Sequence, residues 1–396
     1  MKQIPRALLA LVIAAAASLV GVAQQPAGPP AFVTFPILTH VAEPGLDHGH
    51  FVMGPGEAAV PAPIFQPPAG GTAAPAKTAP GAITPGTDVN VSNASASYEG
   101  ETSAVSTGLL LVGGSNHIYP GNCSATAATG AFGDCAPYAY SSSTGATGSW
   151  TKQALPRVWN GTAFGIGFDP GVDVDTTGTF FYTYGVAPLS RNFPNAIVVV
   201  SSTNGTNWSQ KTPVTFNKSK NFDDKYYLAI DRSNTGFRNR IYVSWDRNSG
   251  NNQILLLSSS SNGGTTWTTP VKVNDGTSSF ERVIGAYPAV DHNSGVVYDS
   301  WHDYAKNIIF VDRSTNGGGT WGTDHAAATT HAGFGTDIGC VGGRSQGPAH
   351  ALKVGSNGAL YLVYADQIGG GATSRGFDIL LVKSSDGGQT WSAPIR

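Results

Sequence analysis

From about residue 88 onward, short apolar runs alternate with polar clusters rich in Gly, Asn, Asp and Ser, the pattern of strands joined by turns. The clearest unit is the stretch 378–391, in which Ile-Leu-Leu-Val is followed by Ser-Ser-Asp-Gly-Gly-Gln-Thr-Trp after one lysine. The same order recurs at 254–267 and 308–321. In the fullest unit the pattern predicts four strands, at 226–231, 240–245, 253–258 and 270–273, following one another as an antiparallel meander, with a loop over 246–252. Comparable sets of runs begin near residues 102, 167, 287 and 349. The closing tryptophans, Trp150, Trp208, Trp267, Trp321 and Trp391, are spaced by roughly 55 to 70 residues.

Repetition of four-stranded antiparallel sheets at this period predicts an all-β chain arranged as a β-propeller, with five blades visible. The last unit stops at Arg396, barely into its fourth strand. Two ways of closing the ring stay open. In one, Asp88-Val89-Asn90-Val91 pairs with the outer edge of the last blade; in the other, the chain is C-terminally incomplete and belongs to a ring of six or more blades.

Upstream of the repeats the texture changes twice. Residues 1–23 carry Lys2 and Arg6, an apolar stretch from Ala7 to Val20 and the small residues Gly21 and Ala23, the layout of a cleavable secretory signal. Residues 24–87 are dense in Pro, Ala and Gly without sustained periodicity and read as a linker with too little apolar surface to fold alone. The expected order is therefore signal 1–23, linker 24–87 and propeller 88–396, in a secreted or periplasmic protein with no membrane span after cleavage. Export agrees with reading Cys123 and Cys135, which flank a Gly/Ala/Thr-rich loop, as a disulfide, and leaves Cys340 odd. A charged fraction of 12% and a net charge of −2, with no cluster of Lys and Arg, exclude a nucleic-acid partner.

Three polar boxes share the spacing Ser-x-Asp/Asn-x-Gly-x-Thr-Trp. They are Ser260, Asn262, Gly264 and Trp267; Ser314, Asn316, Gly318 and Trp321; and Ser384, Asp386, Gly388 and Trp391. This pattern resembles the Asp box (BNR repeat) of sialidase-like β-propellers. Its expected role is structural: the Asp carboxyl or Asn amide caps the turn's own backbone N–H groups, Gly takes a positive φ and Trp packs between strands. The boxes that end at Trp150 and Trp208 read as degraded, the second because Thr203 stands where the others have Asn or Asp.

Strand order puts the boxes on the same face as the turns between first and second strands. The opposite face then carries the interblade connections and the loops between second and third strands, where function is expected. The resemblance implies an exo-glycosidase for sialic acid or a related acidic sugar, with an arginine clamp, a tyrosine nucleophile activated by a glutamate, and an aspartate acid/base. On that face the candidates are Glu281, Arg282, Tyr287, Arg344 and Asp223 for catalysis, and Arg157, Arg247, Trp159 and Tyr304 for binding, with Glu101 a second choice of activating acid. The Phe/Tyr-Arg-Ile-Pro motif of sialidases has no match; Leu155-Pro156-Arg157-Val158 is the nearest stretch. The alternative is a non-catalytic extracellular propeller that binds glycan, protein or cell-wall material. Asp169, Asp173, Asp175 and Gly178 loosely follow an oxygen-rich Ca²⁺ loop, but Asp173 and Asp175 read better as a strand end and its cap, so no cofactor or metal is expected.

Overall fold

The computed structural model describes residue 91 and residues 98–108, 110–118, 137–188, 194–218, 221–249, 252–276, 282–332, 349–367 and 378–396. All of them fall in one compact unit. The expected signal and linker lie outside the described residues, as do Cys123, Cys135, Cys340, Glu281 and Arg344.

Five antiparallel sheets follow one another along the chain, and no helix occurs among the described residues. The first consists of β1 (Tyr98–Ser106), β2 (Leu111–Ile118), β3 (Tyr138–Ser142) and β4 (Thr151–Ala154). A small hairpin, β5 (Val158–Trp159) with β6 (Thr162–Ala163), leads into the second. That sheet contains β7 (Ile166–Val174), β8 (Phe180–Ala187), β9 (Asn195–Ser202), β10 (Ser209–Gln210) and β11 (Thr215–Asn217). The third is β12 (Phe222–Ile230), β13 (Ile241–Ser249), β14 (Asn252–Ser260) and β15 (Val271–Lys272). In the fourth, β16 (Val283–Ile284) and β17 (Ala289–Val290) share the first position, before β18 (Val297–Asp303), β19 (Ile308–Ser314) and β20 (His325–Thr329). The fifth holds β21 (His350–Val354), β22 (Leu360–Asp366) and β23 (Asp378–Ser384). The first strands of all five sheets line one axial cavity of about 530 Å³, which makes the assembly a five-bladed β-propeller.

Apolar side chains hold the blades together in a chain of junctions. Val112 and Ala139 of the first blade share a core with Val172, Tyr182 and Val200 of the second. Phe168 stacks on Phe222 across the next junction, and Tyr242 and Leu257 of the third blade meet Val297 and Trp301 of the fourth. Tyr298 and Ile309 then pack on Leu352, Leu360 and Val382 of the fifth.

The boxes act as turn locks between blades. In each, the Ser hydroxyl donates to the Asn or Asp side chain (3.0 Å at Ser260, 2.8 Å at Ser314, 2.7 Å at Ser384) and accepts from the second Gly amide. The capping side chain then accepts from the Thr amide four residues on, at 3.0 Å for Asn262, 2.9 Å for Asn316 and 3.0 Å for Asp386. Asn262 and Asn316 do more than the expected cap. Their amide nitrogens also donate to the hydroxyls of Thr266 and Thr320, at 2.9 and 2.8 Å, a bond that a carboxylate cannot donate. Asp386 reverses it and accepts from the Thr390 hydroxyl at 2.5 Å. All three caps are exposed, so the boxes hold their turns at the surface, while each buries its Ser and second Gly. Gly264, Gly318 and Gly388 have φ of 81°, 82° and 89°, the region open to glycine. The box glycines press on the blade before: Gly318 on Leu257 and Gly388 on Val311.

Two expectations change here. The box at Trp208 is not degraded: Asn204 fills the capping role, accepting from Ser202 Oγ at 3.0 Å and from the amides of Thr206 and Asn207 at 3.1 and 2.9 Å. It is shorter by one residue, which hid it in the alignment. The loop expected over 246–252 is strand over 246–249, where β13 runs on to Ser249 and pairs there with Asn252; residues 250 and 251 lie outside the described residues. Asp246 and Asn248 are buried and bonded to each other, and buried Gln253 donates to Asn248, so hydrophilicity misled. The outer position of the last blade beside Leu381 is taken by Ile395, whose amide and carbonyl pair with it at 2.9 and 2.8 Å; residues 88–90 of the expected Asp88–Val91 pairing lie outside the described residues.

Candidate functional site

Because the first strand of each blade starts on the loop-rich face, its opening residues ring the axis there. Three of these strands carry a one-residue bulge at that end. In β1 the register slips between Gly100 and Ser103, in β7 between Phe168 and Gly171, and in β12 between Asp224 and Tyr227. Two of the bulged residues, Asp169 (φ 51°) and Lys225 (φ 43°), take the left-handed conformation, at a cost of order 1 kcal/mol each. Glu101 holds the matching position in the backbone of β1.

The bulges gather acids. Lys225 Nζ lies 3.4 Å from Asp169 Oδ1. Asp224 and Asp246 face each other in the register of β12 and β13, and neither is exposed. Asp224 Oδ1 accepts from the Lys225 amide at 2.9 Å, and Asp246 Oδ1 from the Gly285 amide at 3.4 Å. Burial, reinforced by Asp246, lifts the Asp224 carboxyl to about 7 even though Lys225 opposes the shift. Burial pushes Asp246 well above the usual carboxylate range, with Asp169 and Asp223 adding to the effect. The neighbouring Asp169 side chain opposes the Asp224 shift as well.

Beside this cluster the structure joins two of the expected site residues. Arg247 Nε and Nη2 donate to the two oxygens of Asp223 at 2.7 and 2.9 Å, a fork-on-fork pair across the strands. Asn217 also donates to Asp223, at 2.6 Å, so this carboxylate is saturated and holds the arginine in place. Arg247→Met is expected to destabilise the fold by about 2 kcal/mol, read from urea unfolding, because Asp223 is left buried and charged. Pairing the substitution with Asp223→Asn should recover part of that loss.

The other expected residues are dispersed. Arg157 is fully buried and donates to the Gly165 carbonyl; Trp159 is buried edge-on to Tyr184. Neither faces solvent. Arg282 and Tyr304 are neighbours through a backbone bond of 3.0 Å, and Tyr304 donates to Gln253 Oε1. Tyr287 lies in the wall of the axial cavity, 4.8 Å from the Tyr227 ring and under Lys353. Burial and then Asp173 raise its phenol pKa, the reverse of what activates a tyrosine nucleophile. His302, also on this face, is buried against Thr330 and lowered to about 3 by burial and His350, so it stays neutral.

Asp169, Asp224 and Asp246 are the residues that the expected catalytic set omitted. Asp169 had been grouped with Asp173 and Asp175, yet β7 separates them. Asp173 holds Arg232 and the Ile230 amide, at 2.6 and 2.9 Å, while Asp175 caps its own turn through Thr177 and Thr179. Aligning the first strands of the blades by their bulges would have found the cluster, since it places Glu101, Asp169 and Lys225 at one position.

No family model matches the sequence, and neither does any curated protein. Solved structures do. The chain is similar to a Penicillium chrysogenum alpha-L-arabinanase complexed with arabinobiose, at 10% identity and a TM-score of 0.50, over 74% of this chain and 80% of that one. It is also similar to a Dyadobacter fermentans protein of unknown function (16%, TM-score 0.49, 75% and 82%) and to a Bacillus licheniformis GH43 endo-arabinanase (14%, TM-score 0.43, 78% and 99%). At 10% identity the likeness to the Penicillium structure shows the propeller fold alone, and that structure is named an arabinanase, so the sialidase resemblance rests on the boxes.

Proposed function

We propose that the chain is a glycoside hydrolase whose proton chemistry is carried by Asp169 and Asp224 at the loop-rich mouth of the axis, acting on a neutral glycan. The observation that carries this reading is the cluster of buried carboxyls on adjacent first strands, Asp169 held 3.4 Å from Lys225 and Asp224 opposite Asp246, with Asp224 lifted to about 7. Cleaving a glycosidic bond needs a carboxylic acid that is still protonated near neutral pH to protonate the leaving oxygen, and a carboxylate to work against it. Asp169, 5% exposed, is the outer member and donates to the leaving oxygen as the glycosidic bond breaks; Asp224, beneath it, resupplies that proton, and the water that adds to the anomeric carbon gives up a proton to the carboxylate so formed.

A neutral sugar fits better than sialic acid. Arg157 is buried, Arg247 is bound by Asp223 and Arg232 by Asp173, so these arginines offer no clamp for an acidic sugar. Lys225 and Arg247 are matched by Asp169 and Asp223, so the cluster offers no surplus positive charge to attract a carboxylate. The fold shared with an arabinanase supports the same substrate class. With the expected signal at 1–23, the reading extends to glycan met outside the cytoplasm. A second reading, a propeller that binds glycan without turnover, is favoured by the zero exposure of Asp224 and Asp246.

The test is release of reducing ends from arabinan, xylan and galactan, with an aryl sialoside alongside. Turnover of a neutral polymer that drops at least about 100-fold in Asp169→Asn supports the proposal. Unchanged turnover in that variant, or cleavage of the sialoside alone, overturns it, and saturable binding without release gives the second reading.

A further inference from the structure

A second polar cluster stands on the loop-rich face, and the proposed proton chemistry does not use it. It joins the fourth and fifth blades, whereas the acids join the second and third. Its centre is Asp366, the fully buried last residue of β22. The residue that ends the second strand of the fourth blade, Asp303, caps its own turn through the amides of Ala305 and Lys306, both at 3.1 Å. Asp366 reaches instead to the chain that leaves β20. Its oxygens accept from the amides of His331 (2.9 and 3.0 Å), Ala332 (2.8 Å) and its own neighbour Gln367 (2.8 Å), and Oδ2 also accepts from His331 Nδ1 at 2.9 Å. Burial opposes the ionised form, yet the bonds from Ala332 and His331 outweigh it and hold the carboxyl below its usual range.

That carboxylate fixes His331. Nδ1 carries the proton that Asp366 accepts, so in the neutral ring Nε2 is an acceptor, and it meets no partner among the described residues. The side chain is 61% exposed. The backbone beneath it is pinned by Asp366, by the Thr330 amide donating to the Asn307 carbonyl at 2.8 Å, and by Thr330 Oγ1 lying 3.1 Å from His302 Nε2. The fourth blade links this cluster to the acids: His302 lies opposite Ile284 in the register of β18 and β16, and the next amide, Gly285, donates to Asp246 at 3.4 Å. An imidazole with its tautomer and direction fixed, and its outer nitrogen turned to water, is a preorganised acceptor.

We propose that His331 Nε2 accepts a hydrogen bond from a hydroxyl of a neutral glycan whose other end lies at Asp169 and Asp224, so that the ligand is an oligomer crossing the mouth of the axis; where the glycan leads rests on the reading of those two aspartates given above. Sugar hydroxyls are donors, and the carboxylate behind the ring disfavours an acidic ligand. The two clusters belong to blade junctions that are not neighbours, so a single sugar ring does not serve both.

Two measurements on the full chain test this, with arabinohexaose and xylohexaose as the probes. In titration calorimetry one of them should bind, and His331→Ala should weaken that binding by about tenfold. His331 is exposed, so the fold tolerates the substitution. In the unsubstituted protein, carbethoxylation of His331 by diethyl pyrocarbonate, read by peptide mass spectrometry against His325 at the other end of β20, should slow by at least about fivefold once the hexamer is well above its Kd. Failure of both hexamers to bind, an affinity unchanged in His331→Ala, or labelling at the same rate with and without sugar overturns the proposal. The two readings fail separately. Binding that weakens in His331→Ala without any release of reducing ends keeps the His331 contact and removes the hydrolase; release with binding unchanged in that variant does the reverse.

Discussion

Asp224→Asn is expected to lower glycan turnover by about 10² to 10⁴-fold and, at the same time, to stabilise the fold above pH 7. Both effects follow from one buried carboxyl. Asp224 is unexposed and lifted to about 7, so near neutrality it retains a proton that an ordinary aspartate would have lost. An amide cannot pass that proton to Asp169. The stability effect has a definite sign. A carboxyl whose pKa is higher in the folded state binds protons more tightly there, so stability falls as pH rises from about 4 to about 7 and levels off above. The replacement asparagine does not ionise, and its carbonyl oxygen can still accept from the Lys225 amide, the bond that is 2.9 Å long in the parent. Urea unfolding at pH 4.5, 6 and 8 should therefore show the variant gaining on the parent as pH rises. The parent's rate should carry an alkaline limb near pH 7 that the variant lacks. A variant less stable than the parent at pH 8, or an unmoved limb, would show that Asp224 is an ordinary structural carboxyl.

The sequence carried the architecture because the boxes repeat with their strands. Ser, Asn or Asp, Gly and Trp recur in order, and each hydroxyl, cap and positive φ is a local device that needs no knowledge of the rest of the fold. The acid cluster was hidden because it is assembled across blades. Asp169 and Asp224 are separated by a whole blade in the chain and meet through bulges in two strands, and a bulge leaves no residue signature as plain as a Gly-Gly turn. Reading polar residues as loop made matters worse. Asp223, Asp224 and Asp246 sit inside β12 and β13, buried among hydrogen bonds, so the hydrophilic stretches were strand. The arginines misled for a related reason: composition shows how many there are, but not that Arg247 has already been claimed by Asp223 and that Arg157 is fully buried.

Gly185→Ala is expected to cost about 3 to 4 kcal/mol, enough to unfold a marginal domain, although it adds a single methyl group. Gly185 lies in β8 directly beneath the phenol of Tyr226 from the next blade. An added Cβ would sit 2.7 Å from Tyr226 Cζ and 2.9 Å from Phe168 Cε2, closer still to the hydroxyl, and far inside contact distance. The ring has nowhere to go. Tyr226 is fully buried, is walled by Phe168 with ring centroids 6.2 Å apart, and donates to the Phe168 carbonyl at 2.7 Å. Moving it breaks that bond next to the Asp169 bulge, so the loss of stability should be accompanied by loss of turnover. The same arrangement one blade earlier, Gly114 beneath Tyr182, whose hydroxyl donates to Tyr138 O at 2.9 Å, should respond alike. Tyr226→Leu removes the ring that the methyl strikes. In the double variant the two losses should therefore fall short of their sum by more than about 1 kcal/mol. Strict additivity, or a loss below about 1 kcal/mol for Gly185→Ala alone, would mean that the blades are free to move apart, and that the tyrosine-over-glycine contact does not set the spacing that brings the two aspartates together.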